Sequence, residues 1–160
     1  MSAKLLEQFL FWVHGLSAAA WFGAIFYRTV VVDGKAFTFF QIRSDYEHFS
    51  THLAHNMRYF VTAGLLTCGL SGFALVGLKW DWASSSWLAL MVAKTGVWLA
   101  ACTLFTYVSW VHWPWRALAA PEEFAHYRRQ GQRLAYGMVV LAGVGFALGQ
   151  ACRVLVIGNI

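Results

Sequence analysis

The chain has 160 residues, of which 59% are apolar and only 12% charged, with a formal net charge of +5. A soluble domain of this size carries roughly 25% charged residues, so the composition excludes an ordinary water-soluble fold. The basic residues gather at the ends of apolar stretches rather than in one patch, which excludes a nucleic-acid surface.

Apolar stretches long enough to cross a bilayer, about 20 residues each, recur four times: Leu5 to Val32, Tyr59 to Leu78, Trp87 to Val111 and Leu134 to Ile157. The expected fold is all-α, a single polytopic bundle of four transmembrane helices over residues 1–160. Ala18-Ala19-Ala20 in the first stretch resembles a signal-peptide cleavage site. Yet Lys4 is offset by Glu7 and the apolar run continues past the alanines, so a retained helix is expected. His14 stands inside this helix and shares a face with Ala18, Trp21, Ile25 and Arg28. Ionisable groups are rare and costly in hydrocarbon, which points to function. The plainer alternative is a neutral imidazole bonded to a neighbouring helix.

The first connection spans about 25 residues and contains EHFSTHLAHNMRYF. There His48, His52, His55 and Tyr59 are spaced four, three and four, so one helix would stack them and extend the second span. Such histidine pairs can hold a metal or line a haem edge. They suit a wet interfacial helix equally well. Gly64, Gly69, Gly72 and Gly77 mark the second span as a close-packing helix. The short connection from Lys79 to Ser86 makes the second and third helices expected antiparallel neighbours.

The third span carries Lys94, which can snorkel outward. His112 follows 18 residues later, five turns on, and shares a face with Lys94, Trp98, Ala101, Phe105 and Val108. Pro114 and Pro121 are expected to break the chain before the fourth helix. EEFAHYRRQGQRLAY places acids before bases and reads as an amphipathic lead-in, with His126 solvated. Gly143, Gly145 and Gly149 again permit close approach, and no internal repeat stands out.

Arg28, Lys35, Arg43 and Arg58 bracket the first connection, and Arg116, Arg128, Arg129 and Arg133 the third, against Lys4, Lys79 and Arg153 opposite. This bias of eight to three puts the first and third connections in the cytoplasm and both termini outside. Trp80, Trp82 and Trp87 at one boundary, with Trp110, Trp113 and Trp115 at the other, suit interfacial belts. His14 and Lys94 then share the outer half, and His112 sits at the inner edge, where His52 or His55 could join it on a metal. Arg58 and Arg116 inside, and Lys94 outside, could pair with haem propionates, and Met91 is a further candidate ligand near His14.

Cys68, Cys102 and Cys152 all lie in apolar stretches without Cys-x-x-Cys, which argues against a disulfide framework, a thiolate zinc site and covalent c-type haem. The seven acids lie outside the predicted membrane core, which speaks against a carboxylate proton relay. No hydrolase, metalloprotease or phosphate-loop motif occurs.

His14 followed by Trp21-Phe22-Gly23-Ala24-Ile25-Phe26-Tyr27, Arg58-Tyr59 opening the second span, and Trp87 before Ala93-Lys94 in the third together resemble the CopD/HemJ-like membrane families. These comprise copper-resistance D proteins and the HemJ type of protoporphyrinogen oxidase. The resemblance implies a four-helix b-type haem protein of the bacterial plasma membrane, with His14 as leading ligand and Lys94 as a site residue. Three readings stand on this sequence. The first is a noncovalent protein with one or two haems b, held by His14, His55 and His112, exchanging electrons with quinone and a redox partner protein. The second is copper handling by histidine and methionine. The third is a non-catalytic subunit in the lipid bilayer that packs against a larger respiratory or transport complex, in a homo- or hetero-oligomer.

Overall fold

The computed structural model describes residues 3–80 and 84–157, with side chains through Cys152. Asp81 and the predicted interfacial Trp82 lie outside the described residues, as does the side chain of Arg153. Four long helices, α1 (Ala3–Phe39), α2 (Arg43–Leu78), α3 (Ser85–Ala117) and α4 (Phe124–Ile157), make up nearly all of it. Each contains a window apolar enough to span a membrane.

Local chemistry sets the helix ends. Phe40 and Ile42 adopt extended backbone between α1 and α2, and the Ser84 side chain caps α3 by accepting from the Trp87 N–H at 3.2 Å. Before α4, Ala120 is extended, Pro121 supplies a first position that needs no N–H, and the Glu123 carboxylate accepts the Ala120 N–H at 3.1 Å.

Two expectations are corrected. The first connection shrinks to residues 40–42, because α2 begins at Arg43 and runs 36 residues. At 1.5 Å per residue that is about 54 Å, well beyond a ~30 Å hydrocarbon core. Nor does Pro114 end α3: a π-helical stretch, Val108–His112, precedes it, and the helix continues to Ala117. A proline needs such a local adjustment because it cannot donate to the preceding turn.

Packing runs α1 against α2, α3 against α4, and α1 against α4. The expected α2–α3 neighbours meet at two places. One is near the end of α3, where Arg116 pairs with Glu47. The other is Trp98, whose Nε1 donates to the Leu65 carbonyl at 3.2 Å and whose ring meets Phe73 edge-on. Gly69 allows this, since a Cβ there would overlap the indole. At mid-height Trp21, Val61, Leu65, Ala101, Met138 and Ala142 close into one buried layer. The outward faces are as apolar as the core: Leu70, Val92 and Val140 are 71%, 72% and 62% exposed. Apolar surface on this scale belongs against lipid rather than water. This is a multi-pass membrane protein.

A symmetry not evident in the sequence appears between α1 and α3. At an offset of 80 residues, His14 matches Lys94, buried Trp21 matches buried Ala101, and buried Thr29 matches buried Ser109. The π-helical stretch Tyr27–Val32 of α1 likewise corresponds to Val108–His112 of α3.

Candidate functional site

The apolar central layer leaves an open volume on each side. The larger, about 580 Å³, lies between all four helices toward the N-terminus and the second connection. Its walls are Phe11, Trp21, Trp87, Trp98 and Phe146, with Ala18, Gly145 and Gly149 as low points, and Lys4, Glu7 and Lys79 lie toward the ends of α1 and α2. Lys79 and Glu7 pair there at 2.7 Å.

His14 and Lys94 meet in this cavity. His14 Nδ1 lies 2.9 Å from the Cys68 carbonyl and 3.3 Å from Ser71 Oγ. A backbone carbonyl can only accept, so Nδ1 carries the proton and Nε2 the lone pair. Lys94 Nζ donates to that Nε2 at 3.2 Å. Gly72 makes room for the ring: a Cβ there would stand 3.0 Å from Cε1. An imidazole whose Nδ1–H is fixed by a backbone carbonyl keeps its Nε2 lone pair for a partner, as metal-holding histidines do; here that partner is the Lys94 ammonium. Trp21 Nε1 is buried with no hydrogen-bond partner among the described residues, and its ring lines the same cavity. Buried donors are rarely left in that state. Met91 also lines the cavity.

No family model, curated protein or solved structure matches the chain. Its chemistry therefore has to be read from the geometry.

The candidates near the first and third connections arrange differently from expectation. His52 and His55 lie on the exposed face of α2; His52 Nε2 contacts Asn56 Nδ2 at 3.1 Å, and His55 stands edge-on to Tyr59. The buried face of that stretch is Tyr46, Glu47, Ser50 and Ala54 instead. His112, 2% exposed, points to the bundle interior, so the pairing of His52 or His55 with His112 is not formed. Among the described residues no group of three histidine, cysteine or acidic side chains converges as a metal site.

His112 instead lines a second cavity of about 100 Å³, together with Arg28, Arg58, Arg116 and Arg128. Arg116 is held by Glu47, with Nε and Nη2 at 2.8 and 2.7 Å from Oε2, both side chains buried. The rings of Trp113 and Trp110 underlie the guanidiniums: Arg28 and Arg116 stand over Trp113 at 5.2 and 4.7 Å, and Arg58 over Trp110 at 5.2 Å. Sequence reasoning placed Glu47 outside the membrane core and missed its partnership. The signal was present in the small or neutral residues Ser50, Ala54 and Met57, which follow Glu47 at helical spacing.

Proposed function

We propose that the chain is a noncovalent b-type haem protein of the bacterial plasma membrane that carries electrons, in line with its resemblance to the CopD/HemJ-like families. One observation carries this reading: His14 lines the larger cavity with its tautomer set by the Cys68 carbonyl. Its Nε2, which now accepts from Lys94 at 3.2 Å, is thereby left to ligate iron once that lysine turns to a propionate. At about 580 Å³, that cavity falls within the ~300–1,000 Å³ usual for cofactor sites. His14 would hold the iron, and the indole and phenyl walls would flank the macrocycle. Lys94, Lys4 and Lys79 would supply cations for the propionates, and Trp21 Nε1 a further donor. Bound haem supplies reversible one-electron chemistry of iron. The excess of basic residues around the first and third connections supports a cytoplasmic position for that end and an outer one for this cavity. Quinone and a partner protein are the electron carriers within reach of such a site. The smaller cavity, at about 100 Å³, lies below the cofactor range, so a single haem is proposed.

Visible spectra of the detergent-purified chain, oxidised and dithionite-reduced, test this. The expected result is a Soret band that shifts on reduction and disappears in His14→Ala but persists in His55→Ala and His112→Ala. Protein purified without a Soret band after expression with ample haem would overturn the reading. Stoichiometric copper in that preparation would put ion handling in its place.

A further inference from the structure

We propose that the smaller cavity binds a phosphoryl oxyanion. This inference stands independently of haem, since it concerns the opposite end of the bundle. Charge is the first ground. Arg28, Arg58, Arg116 and Arg128 all line the cavity, where Asp33 is the one lining carboxylate among the described residues. Asp33 stands 3.8 Å from Arg28, and Glu47 is committed to Arg116. Arg58 and Arg128 make no ion pair among the described residues. Asp33 is shared electrostatically among Arg28, Arg116 and Arg128, so four guanidiniums at this cavity face two carboxylates, an excess of buried cation that is costly unless an anion joins them.

Unmet hydrogen-bonding capacity is the second ground. Ser50 Oγ and His112 Nε2, each on a residue 2% exposed, have no partner among the described residues, nor do Arg58 Nε and Arg128 Nε. Buried polar atoms are rarely left so, and four at one cavity mark a missing partner. Ordered water could satisfy hydroxyl and imidazole, but it would leave the charge excess unchanged.

Backbone geometry is the third. The two π-helical stretches, one in α1 and one in α3, both border this cavity and turn Thr29, Ser109 and His112 into it. Such stretches inside α-helices collect at functional sites, and here two arise at matching positions. Size then selects the ligand. About 100 Å³ is well below the ~300–1,000 Å³ of sites for larger organic ligands and suits a small tetrahedral oxyanion. Guanidinium forks match phosphate oxygens bidentately. The phosphoryl group could belong to an anionic lipid headgroup or to a soluble phosphate.

The test uses the full chain in neutral detergent and phosphate-free buffer, titrated calorimetrically with inorganic phosphate, short-chain phosphatidic acid or short-chain phosphatidylcholine. Saturable binding of phosphate identifies a soluble source, and binding of phosphatidic acid alone a lipid source; either supports the site. Arg58→Gln and Arg128→Gln are each expected to weaken binding roughly tenfold, the scale of one lost charge-assisted hydrogen bond. Ser50→Ala should weaken it less. Failure of both phosphate and phosphatidic acid to bind the unmutated chain overturns the proposal, whatever the variants do. So does wild-type affinity in the two arginine variants, or equal binding of phosphatidylcholine.

Discussion

His14 shows how a single side chain acquires a role from its surroundings. An imidazole alone in an apolar helix was legible in the sequence, as was its place in the same half of the bundle as Lys94; their direct contact at 3.2 Å was not. Its tautomer was not legible, because it depends on a carbonyl 54 positions away in another helix. The ring's seat depends on Gly72 in the same way. A methyl group at Gly72 would press on the ring at 3.0 Å from Cε1 and 3.3 Å from Nδ1, whereas one at Gly64 would meet the Trp21 Cβ at an ordinary 3.6 Å. Gly72→Ala is therefore expected to push the imidazole off its carbonyl and lower haem occupancy. Gly64→Ala should leave occupancy unchanged. The ratio of Soret to protein absorbance, compared between the two purified variants, decides the matter; equal ratios would show that the ring's position does not govern binding.

At the level of elements, α2 was half legible. The four-three-four spacing of His48, His52, His55 and Tyr59 correctly indicated helix before the apolar span, and α2 indeed starts at Arg43. Which face turns inward was left open, because histidine spacing suits a metal site and a wet face equally, and the packing of α2 turns His48, His52 and His55 outward. The face that packs holds Tyr46, Glu47, Ser50 and Ala54, small or able to bond across to α3. The π-helical stretches were not legible at all: Val108–His112 precedes a proline, but Tyr27–Val32 has no such marker. The Glu47–Arg116 pair pins the extension of α2 to the end of α3, with side chains 10% and 5% exposed. Removing one partner strands a buried charge, so Glu47→Leu is expected to destabilise by about 3 kcal/mol. The double change Glu47→Leu with Arg116→Met should recover most of that loss, since no charge is then left unpaired. The Lys79–Glu7 pair, 36% and 42% exposed, contributes under about 1 kcal/mol, and Glu7→Gln serves as the comparison. Thermal unfolding in detergent measures all three, and a double variant no more stable than Glu47→Leu alone would mean the pair acts through packing rather than charge.

The whole molecule separates two kinds of interior. A buried apolar layer of Trp21, Val61, Leu65, Ala101, Met138 and Ala142 stands between a large aromatic cavity and a small arginine-lined one. The matched course of α1 and α3 puts equivalent residues at each level: His14 opposite Lys94 above that layer, Thr29 and Ser109 below it. The sequence concealed this relation, because the paired positions differ in residue type while sharing depth and facing. Orientation follows from cost. Arginines held at one end by ion pairs and indole rings cannot cross the bilayer cheaply, and basic residues near span ends are retained on the cytoplasmic side. The arginine-lined cavity is accordingly expected to face the cytoplasm, and the aromatic cavity with both termini the outside. Single cysteines, introduced after Cys68, Cys102 and Cys152 are replaced by alanine, make this measurable with a membrane-impermeant maleimide. Thr38 and Glu122, both exposed, lie beside the first and third connections, and Ser85 lies beside the second. In intact cells Ser85→Cys should be labelled, whereas Thr38→Cys and Glu122→Cys should react only once the membrane is opened. The reverse pattern would invert the protein and put the oxyanion cavity outside, where no cytoplasmic phosphate or inner-leaflet lipid could reach it.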